Sequence, residues 1–150
     1  MPLSQPPRDK SGEVIPHDHA EIGSADRIIR RISEQYRVVD QKASSGFRVS
    51  SMAFQASTEG NRGMSVDLEP SILEAGLDAP RFVTQPPFIG SVWFEAGYLR
   101  SETLQVGYDP LDDNVHHGEV WGNLTRGRRN RLLKTAKWYV EMQGVDLHVI

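Results

Sequence analysis

One stretch near the C-terminus concentrates the groups of this chain that could do chemistry: Asp109-Pro110-Leu111-Asp112-Asp113-Asn114-Val115-His116-His117-Gly118-Glu119-Val120-Trp121-Gly122. Carboxylates, an amide and two imidazoles in one turn and strand can exchange protons, hold a metal ion or orient a phosphate. Side chains alternate between the faces of a strand, so His116 and His117 point apart while His117 and Glu119 share a side. His117 and Glu119 are therefore the candidate catalytic pair, the carboxylate raising the imidazole pKa. Asp112, Asp113, His116, His117 and Glu119 are also hard or borderline metal donors. A three-donor site would need the loop to fold back or another segment to contribute, and no metal is assigned. The plainer reading is a polar turn, Asp-Pro followed by Asp-Asp-Asn, that leads into a strand with one exposed face.

Two sets of cations accompany this stretch. From Thr125 to Lys137 there are six basic residues and no acid. They crowd the start of an expected helix, where the dipole favours anions. Arg128 and Arg129 either receive an external anion, for which phosphate is the natural candidate, or pair with Asp112, Asp113 or Glu119, or are solvated. The second set, Arg30, Arg31, Arg48, Ser50, Ser51 and Ser65 with Asp67, lies in expected strands. Small hydroxyls beside arginine could line a narrow anion or nucleotide pocket, or could be ordinary edge-strand polarity. The chain has no GxSxG, P-loop or GxGxxG motif, so serine hydrolysis and those phosphate-binding loops are not indicated.

The elements that must position these groups follow from local pattern. Arg27–Ile32 is short and β-branched and predicts a strand, with Tyr36–Val39 as its continuation or a second one. Phe47–Phe54 and Ser91–Ala96 read as strands, Met64–Leu68 and Thr103–Tyr108 as alternating half-buried strands, and His116–Trp121 as the strand after the Asp-rich loop. Pro70–Gly76 fits a short helix, and Asp78–Pro87, with three prolines, an irregular segment. Gly97-Tyr98 is read as a turn, and Ser57–Gly63 as a glycine-containing loop. Thr125 can cap a last helix that runs to about Gln143, with Leu132, Leu133 and Ala136 on its core face. The expectation is one α+β domain over residues 25–150: a largely antiparallel sheet of about six short strands, one short helix, and a long C-terminal helix packed on the sheet. Residues 1–24 are rich in Pro, Ser, Asp and His and are expected to form a flexible arm. His17-Asp18-His19 lies in it, a weak metal motif if the arm is mobile.

Composition narrows the setting. The 150 residues are 38% hydrophobic and 25% charged, ordinary for a globular domain. No apolar run approaches a membrane span, and no secretory signal core opens the chain. There is no cysteine, so disulfides and thiolate metal sites are excluded and a cytoplasmic home is the default. A net charge of −3 means that any attraction to nucleic acid must be local.

Arg30-Arg31-Ile32, then Arg48-x-Ser50-Ser51-x-Ala53-Phe54, Met64-Ser65-Val66 and Asp109-Pro110-x-x-Asp113-Asn114-x-x-His117-Gly118-x-Val120-x-Gly122, followed by a basic helix, resemble an uncharacterised family of small bacterial proteins over residues 27 to about 140. In that family's pattern a single His follows Asn-Pro. Here Val115 replaces the Pro and His116 is an extra His, so the resemblance points to His117. It implies no established activity. An Arg on an early strand, a Ser-rich strand and a late Glu or His also occur in the order found in small ADP-ribosyl-transferring or NAD-degrading domains, which would imply NAD-type chemistry. Two classes stay open. One is a domain that binds a phosphate-bearing ligand, a nucleotide or nucleic-acid end, with no cofactor named. The other is a protein-interaction module, an antitoxin, immunity or regulatory partner, anchored by Trp93, Phe94, Trp121 and Trp138.

Overall fold

The computed structural model describes residues 2–57 and 62–149, so the loop expected at Ser57–Gly63 falls partly outside the described residues. The strands are β1 (Arg27–Ser33), β2 (Arg37–Val39), β3 (Phe47–Val49), β4 (Met64–Leu68), β5 (Phe88–Glu95), β6 (Gln105–Tyr108), β7 (His117–Trp121) and β8 (Lys137–Val140). The helices are α1 (Glu69–Glu74), α2 (Ala79–Phe82), α3 (Ala96–Ser101) and α4 (Arg126–Thr135). Six strands form one sheet in the order β6-β7-β4-β1-β5-β8, every neighbouring pair antiparallel. β2 and β3 make a separate hairpin. The α+β, antiparallel architecture is the expected one. No helix among the described residues is long and apolar enough to cross a membrane.

The centre of the sheet is covered on both faces, and β1 has the composition for it. Ile28, Ile29 and Ile32 are fully buried, and β-branched side chains pack well on a pleated surface. Ile28 and Ile32 face the main core, with Phe54, Met64, Val66, Phe94, Val120 and Leu132. Ile29 faces the opposite side and a smaller cluster of Ile72, Ala79 and Val83, supplied by α1 and α2. Those two short helices cover only part of that second face. The rest of it, toward β4 and β7, is left to polar side chains.

Several expectations are corrected. The long C-terminal helix is not present: α4 stops at Thr135, and Lys137–Val140 turns back as edge strand β8, pairing with β5. The Trp138-Tyr139-Val140 run explains this, since aromatic and β-branched residues favour a strand that can pack them. Leu132 and Ala136 are buried as expected, whereas Leu133 is only half-buried. Phe47–Phe54 is strand only to Val49. Ser50 then caps a 3-10 turn over Ser51–Phe54, its hydroxyl accepting from the Met52 N–H at 3.1 Å. Gly97-Tyr98 lies inside α3 rather than in a turn, and α2 orders part of the proline-rich segment.

The segment expected to be a flexible arm lies along the outer edge of β6. His19 N–H donates to the Val106 carbonyl (2.9 Å), Val106 N–H donates to Asp18 Oδ1 (3.0 Å), and Tyr108 N–H donates to His17 Nε2 (3.3 Å). Arg100 on α3 clamps the segment, reaching Asp18 Oδ1 at 2.9 Å and the His19 carbonyl at 3.1 Å. An edge strand presents backbone groups that need partners. A polar segment can meet that need with few large apolar residues, which is why composition alone reads it as unstructured. Val14, His19 and Ile22 are buried in the process. Deleting residues 2–22 should therefore lower the melting temperature by about 5 °C or more, as an unpaired edge and lost apolar burial together would. An unchanged, cooperative melt in the truncated protein would show that the segment contributes nothing.

Candidate functional site

The site begins with a gap in the sheet. β1 and β4 pair only at Ile28–Leu68 and Ile29–Asp67. Beyond that point they diverge, and Arg30 fills the opening. Its Nε donates to the Ala53 carbonyl and its Nη1 to the Ser65 carbonyl, both at 2.9 Å. Burial pushes the guanidinium below its ordinary pKa, against the pull of Tyr36, Glu119 and Asp67.

The next residue organises the polar face. Arg31 grips Asp67 with two bonds, Nε to Oδ2 at 2.8 Å and Nη2 to Oδ1 at 3.1 Å. Asn114 Nδ2 donates to the same Oδ1 at 2.9 Å, while its own Oδ1 accepts from the His116 N–H at 3.0 Å. Asp67, on β4, thus ties the Asp-rich loop to β1. The β4–β7 register places His117 opposite Asp67 and Glu119 opposite Ser65, so all four side chains share a face.

His117 and Glu119 form the buried part of the site, and Asp109 joins them. His117 Nδ1 lies 2.8 Å from the Asp109 carbonyl and 3.4 Å from its carboxylate. Burial alone would lower the imidazole pKa, but the side-chain and backbone bonds to Asp109 and the charges of Glu119 and Asp109 leave it raised. Glu119 has no solvent exposure, and neither carboxylate oxygen has a hydrogen-bond partner among the described residues. Desolvation, offset in part by His117 and reinforced by Asp109, lifts its pKa from 4.5 to about 7. Gly107 lies across from Glu119 on β6, where a Cβ would collide with the Trp121 ring and the His17 carbonyl. The bare glycine lets both close over the carboxylate.

A cleft of about 310 Å³ opens beside this cluster. Arg30, Arg31, Arg62, Ser65, Asp67, Asp113, Asn114 and His117 supply its polar lining, and Phe82, Phe88 and Leu111 its apolar walls. Four of the candidates named from sequence, Arg30, Arg31, Ser65 and His117, therefore meet at one opening, with Glu119 next to His117. The others are elsewhere. Arg48 pairs with Asp40 at 2.9 Å and lines a separate groove with Ser51, Arg126 and Lys134. Ser50 is used as a cap. Arg128 and Arg129 donate to the Asn123 and Leu124 carbonyls at 2.8 and 2.7 Å, closing the turn before α4. His116 faces away from His117, its Nδ1 2.7 Å from Ser71 Oγ and its ring edge-on to Phe82. The sequence places Asp109 and Asn114 in the Asp-rich stretch without a role of their own, and Arg62 in an expected loop. Only the i, i+2 relation of His117 and Glu119 was readable there.

No protein-family model, curated protein or solved structure matches this chain.

Two outcomes follow from this geometry. Because Glu119 titrates higher folded than unfolded, its contribution to stability is fully present below pH 4.5 and is lost as pH rises through about 7. In metal-free buffer, Glu119→Gln should match the wild type at pH 4 and be more stable at pH 8, by on the order of 2–3 kcal/mol, as denaturant melts can measure. A variant no more stable at pH 8 would mean that the carboxylate is stabilised as an anion. Arg30→Met should cost about 2–4 kcal/mol by stranding the Ser65 and Ala53 carbonyls. Arg30→Lys should recover only part of that, since one ammonium cannot replace a fork. Full rescue by Lys would show that the fork geometry is irrelevant.

Proposed function

We propose that this protein binds a small phosphate-bearing molecule in the cleft between β1, β4 and the Asp-rich loop. The observation that carries the reading is the convergence of three guanidinium groups, Arg30, Arg31 and Arg62, on one opening whose lining holds only two carboxylates, Asp67 and Asp113. This leaves a positive charge in excess, with His117 available as a further donor. The Nε and one Nη of Arg30 and of Arg31 are held by Ala53, Ser65 and Asp67, so these two supply charge and their remaining N–H groups, and Arg62 would offer phosphate oxygens its guanidinium. The volume is at the lower end for a ligand pocket and favours a mononucleotide-sized or smaller group over a dinucleotide. Ser50 caps a 3-10 turn that Ser51 opens, and neither lines the cleft, so the arrangement lends no support to NAD-type chemistry. The interaction-module reading has less to stand on: Phe94 and Trp121 are buried, and Arg27 and Lys137 cover the Trp93 ring. The lack of cysteine keeps the cytoplasm as the proposed setting.

The test compares nucleoside mono- and diphosphates and pyrophosphate with the same nucleosides lacking phosphate, by thermal shift and calorimetry. The phosphorylated compounds should raise the melting temperature by a few degrees, the effect should shrink as salt rises, and Arg62→Ala should weaken binding about tenfold. Equal shifts with and without phosphate, or none at all, would remove the proposal.

A further inference from the structure

We propose that Asp109, His117 and Glu119 together bind a divalent transition-metal ion of the Mn2+ to Zn2+ series. Each offers one donor atom, and the three atoms lie within 4.8 Å of one another. Mutual proximity of this kind is what a single ion bridging the three would require. The His117 ring is already oriented, its Nδ1 held 2.8 Å from the Asp109 carbonyl. A hydrogen bond from a ligating ring to a backbone carbonyl is a common support at metal sites.

The second and independent observation is Glu119 itself. It is fully buried, it lies among the other two donors, and both its oxygens lack a hydrogen-bond partner among the described residues. A buried carboxylate without a donor is costly, and buried charges are normally paired or bound to a metal. A divalent ion would supply the missing partner and balance the two carboxylate charges. The charges of Arg62 and Arg30 act on Glu119, but neither donates a hydrogen bond to its oxygens. Arg30 is spent on two backbone carbonyls and Arg31 on Asp67.

The donor set selects the ion. An imidazole beside two carboxylates suits Mn2+, Fe2+, Co2+ or Zn2+, whereas Mg2+ and Ca2+ prefer oxygen alone. Three protein donors leave positions open for water or a ligand oxygen. Access exists from two sides, since His117 lines the cleft and Asp109 lines a neighbouring groove with Asp112 and Arg62. The other histidine cluster is a poorer candidate. His17 Nδ1 and Nε2 already contact the Ile15 carbonyl and the Tyr108 N–H, and His19 contacts His17 and Glu21. The ion site rests on its own geometry. Only the further step, that a bound phosphate oxygen takes an open coordination position, rests on the cleft reading.

The experiment titrates chelator-treated, full-length protein with Co2+, Zn2+ and Mn2+, and with Mg2+ and Ca2+ as controls, by calorimetry, by melting temperature and by the visible spectrum of bound Co2+. One equivalent of Co2+ or Zn2+ should bind, raise the melting temperature by about 5 °C or more at saturation, and in the case of Co2+ give a ligand-field spectrum. Asp109→Asn, His117→Ala and Glu119→Gln should each weaken binding at least tenfold, while His19→Ala, which breaks the second histidine pair but leaves the His17 ring on Trp121, should bind normally. Glu119→Gln keeps the shape of the side chain, so it remains informative if His117→Ala fails to fold. Lack of one-to-one binding by the wild type, or binding that survives Glu119→Gln or is lost with His19→Ala, would overturn the site. A second arm adds pyrophosphate to the metal-loaded protein. If the ion binds as described but pyrophosphate neither binds nor alters the Co2+ spectrum, the cleft reading fails while the metal site stands.

Discussion

Two strands that pair at only two positions leave an opening in the middle of a sheet, and in this chain Arg30 fills it. The opening is costly because the Ser65 carbonyl, which would otherwise bond across to β1, faces a void. Arg30 spans it with a fork that reaches Ser65 on one side and Ala53 on the other. A guanidinium can do this because it carries five donors in a rigid plane and stays charged even when burial opposes it. The substitution of a side chain for ladder hydrogen bonds has a structural consequence. It keeps β1 and β4 far enough apart for a cleft to form, and it puts a positive charge at the base of that cleft. The polar face of the domain is thus a product of one break in sheet pairing.

The unequal covering of the two faces decides where chemistry can occur. The face with Phe54, Phe94 and Leu132 is closed by α3, α4 and the 3-10 turn. On the other face α1 and α2 are too short to reach past Ile29 and its small cluster. Asp67, His117 and Glu119 occupy what remains. Their burial therefore comes from the Asp-rich loop, Trp121 and the N-terminal segment laid along β6, not from helices. This gives the N-terminal segment two roles. It satisfies the exposed edge of β6, and through His17, whose ring packs on Trp121 at 5.3 Å, it helps to exclude water from the Glu119 side.

Local periodicity was enough to read β1, β4, β5 and β7, because each has a β-branched or alternating run of its own. It was also enough to place His117 and Glu119 on one face. It could not show that Asp109 would join them or that Asp67 would tie Arg31 to Asn114. Those meetings depend on the strand order β6-β7-β4-β1, in which neighbours come from distant parts of the chain. The basic run is ambiguous by sequence for a related reason. Arg128 and Arg129 look like an anion site by charge, yet they are used locally on the Asn123 and Leu124 carbonyls, a role that only backbone geometry reveals. The end of α4 was misplaced because Leu132, Leu133 and Ala136 at helical spacing suggested a continuation, while Trp138-Tyr139-Val140 had a stronger preference for the sheet edge beside β5.

The division of charge across the site bears on how the two proposals fit together. Arg30, Arg31 and Arg62 make the cleft side positive, while Asp109, and Glu119 once its proton is lost, make the adjoining buried pocket negative, with His117 between them. A bare anion would be drawn to the first region and repelled by the second. A bare cation would have the opposite preference. A phosphate group that shares an oxygen with a divalent ion satisfies both at once, because the ion neutralises the carboxylates while Arg62, with the N–H groups that Arg30 and Arg31 do not commit to Ala53, Ser65 and Asp67, would hold the remaining phosphate oxygens. The same arrangement gives the imidazole a use in either state, as a metal donor from one nitrogen or as a hydrogen-bond donor to the ligand. The proposed ion and the proposed ligand are therefore expected to bind with positive coupling, each reducing the electrostatic penalty that the other meets alone.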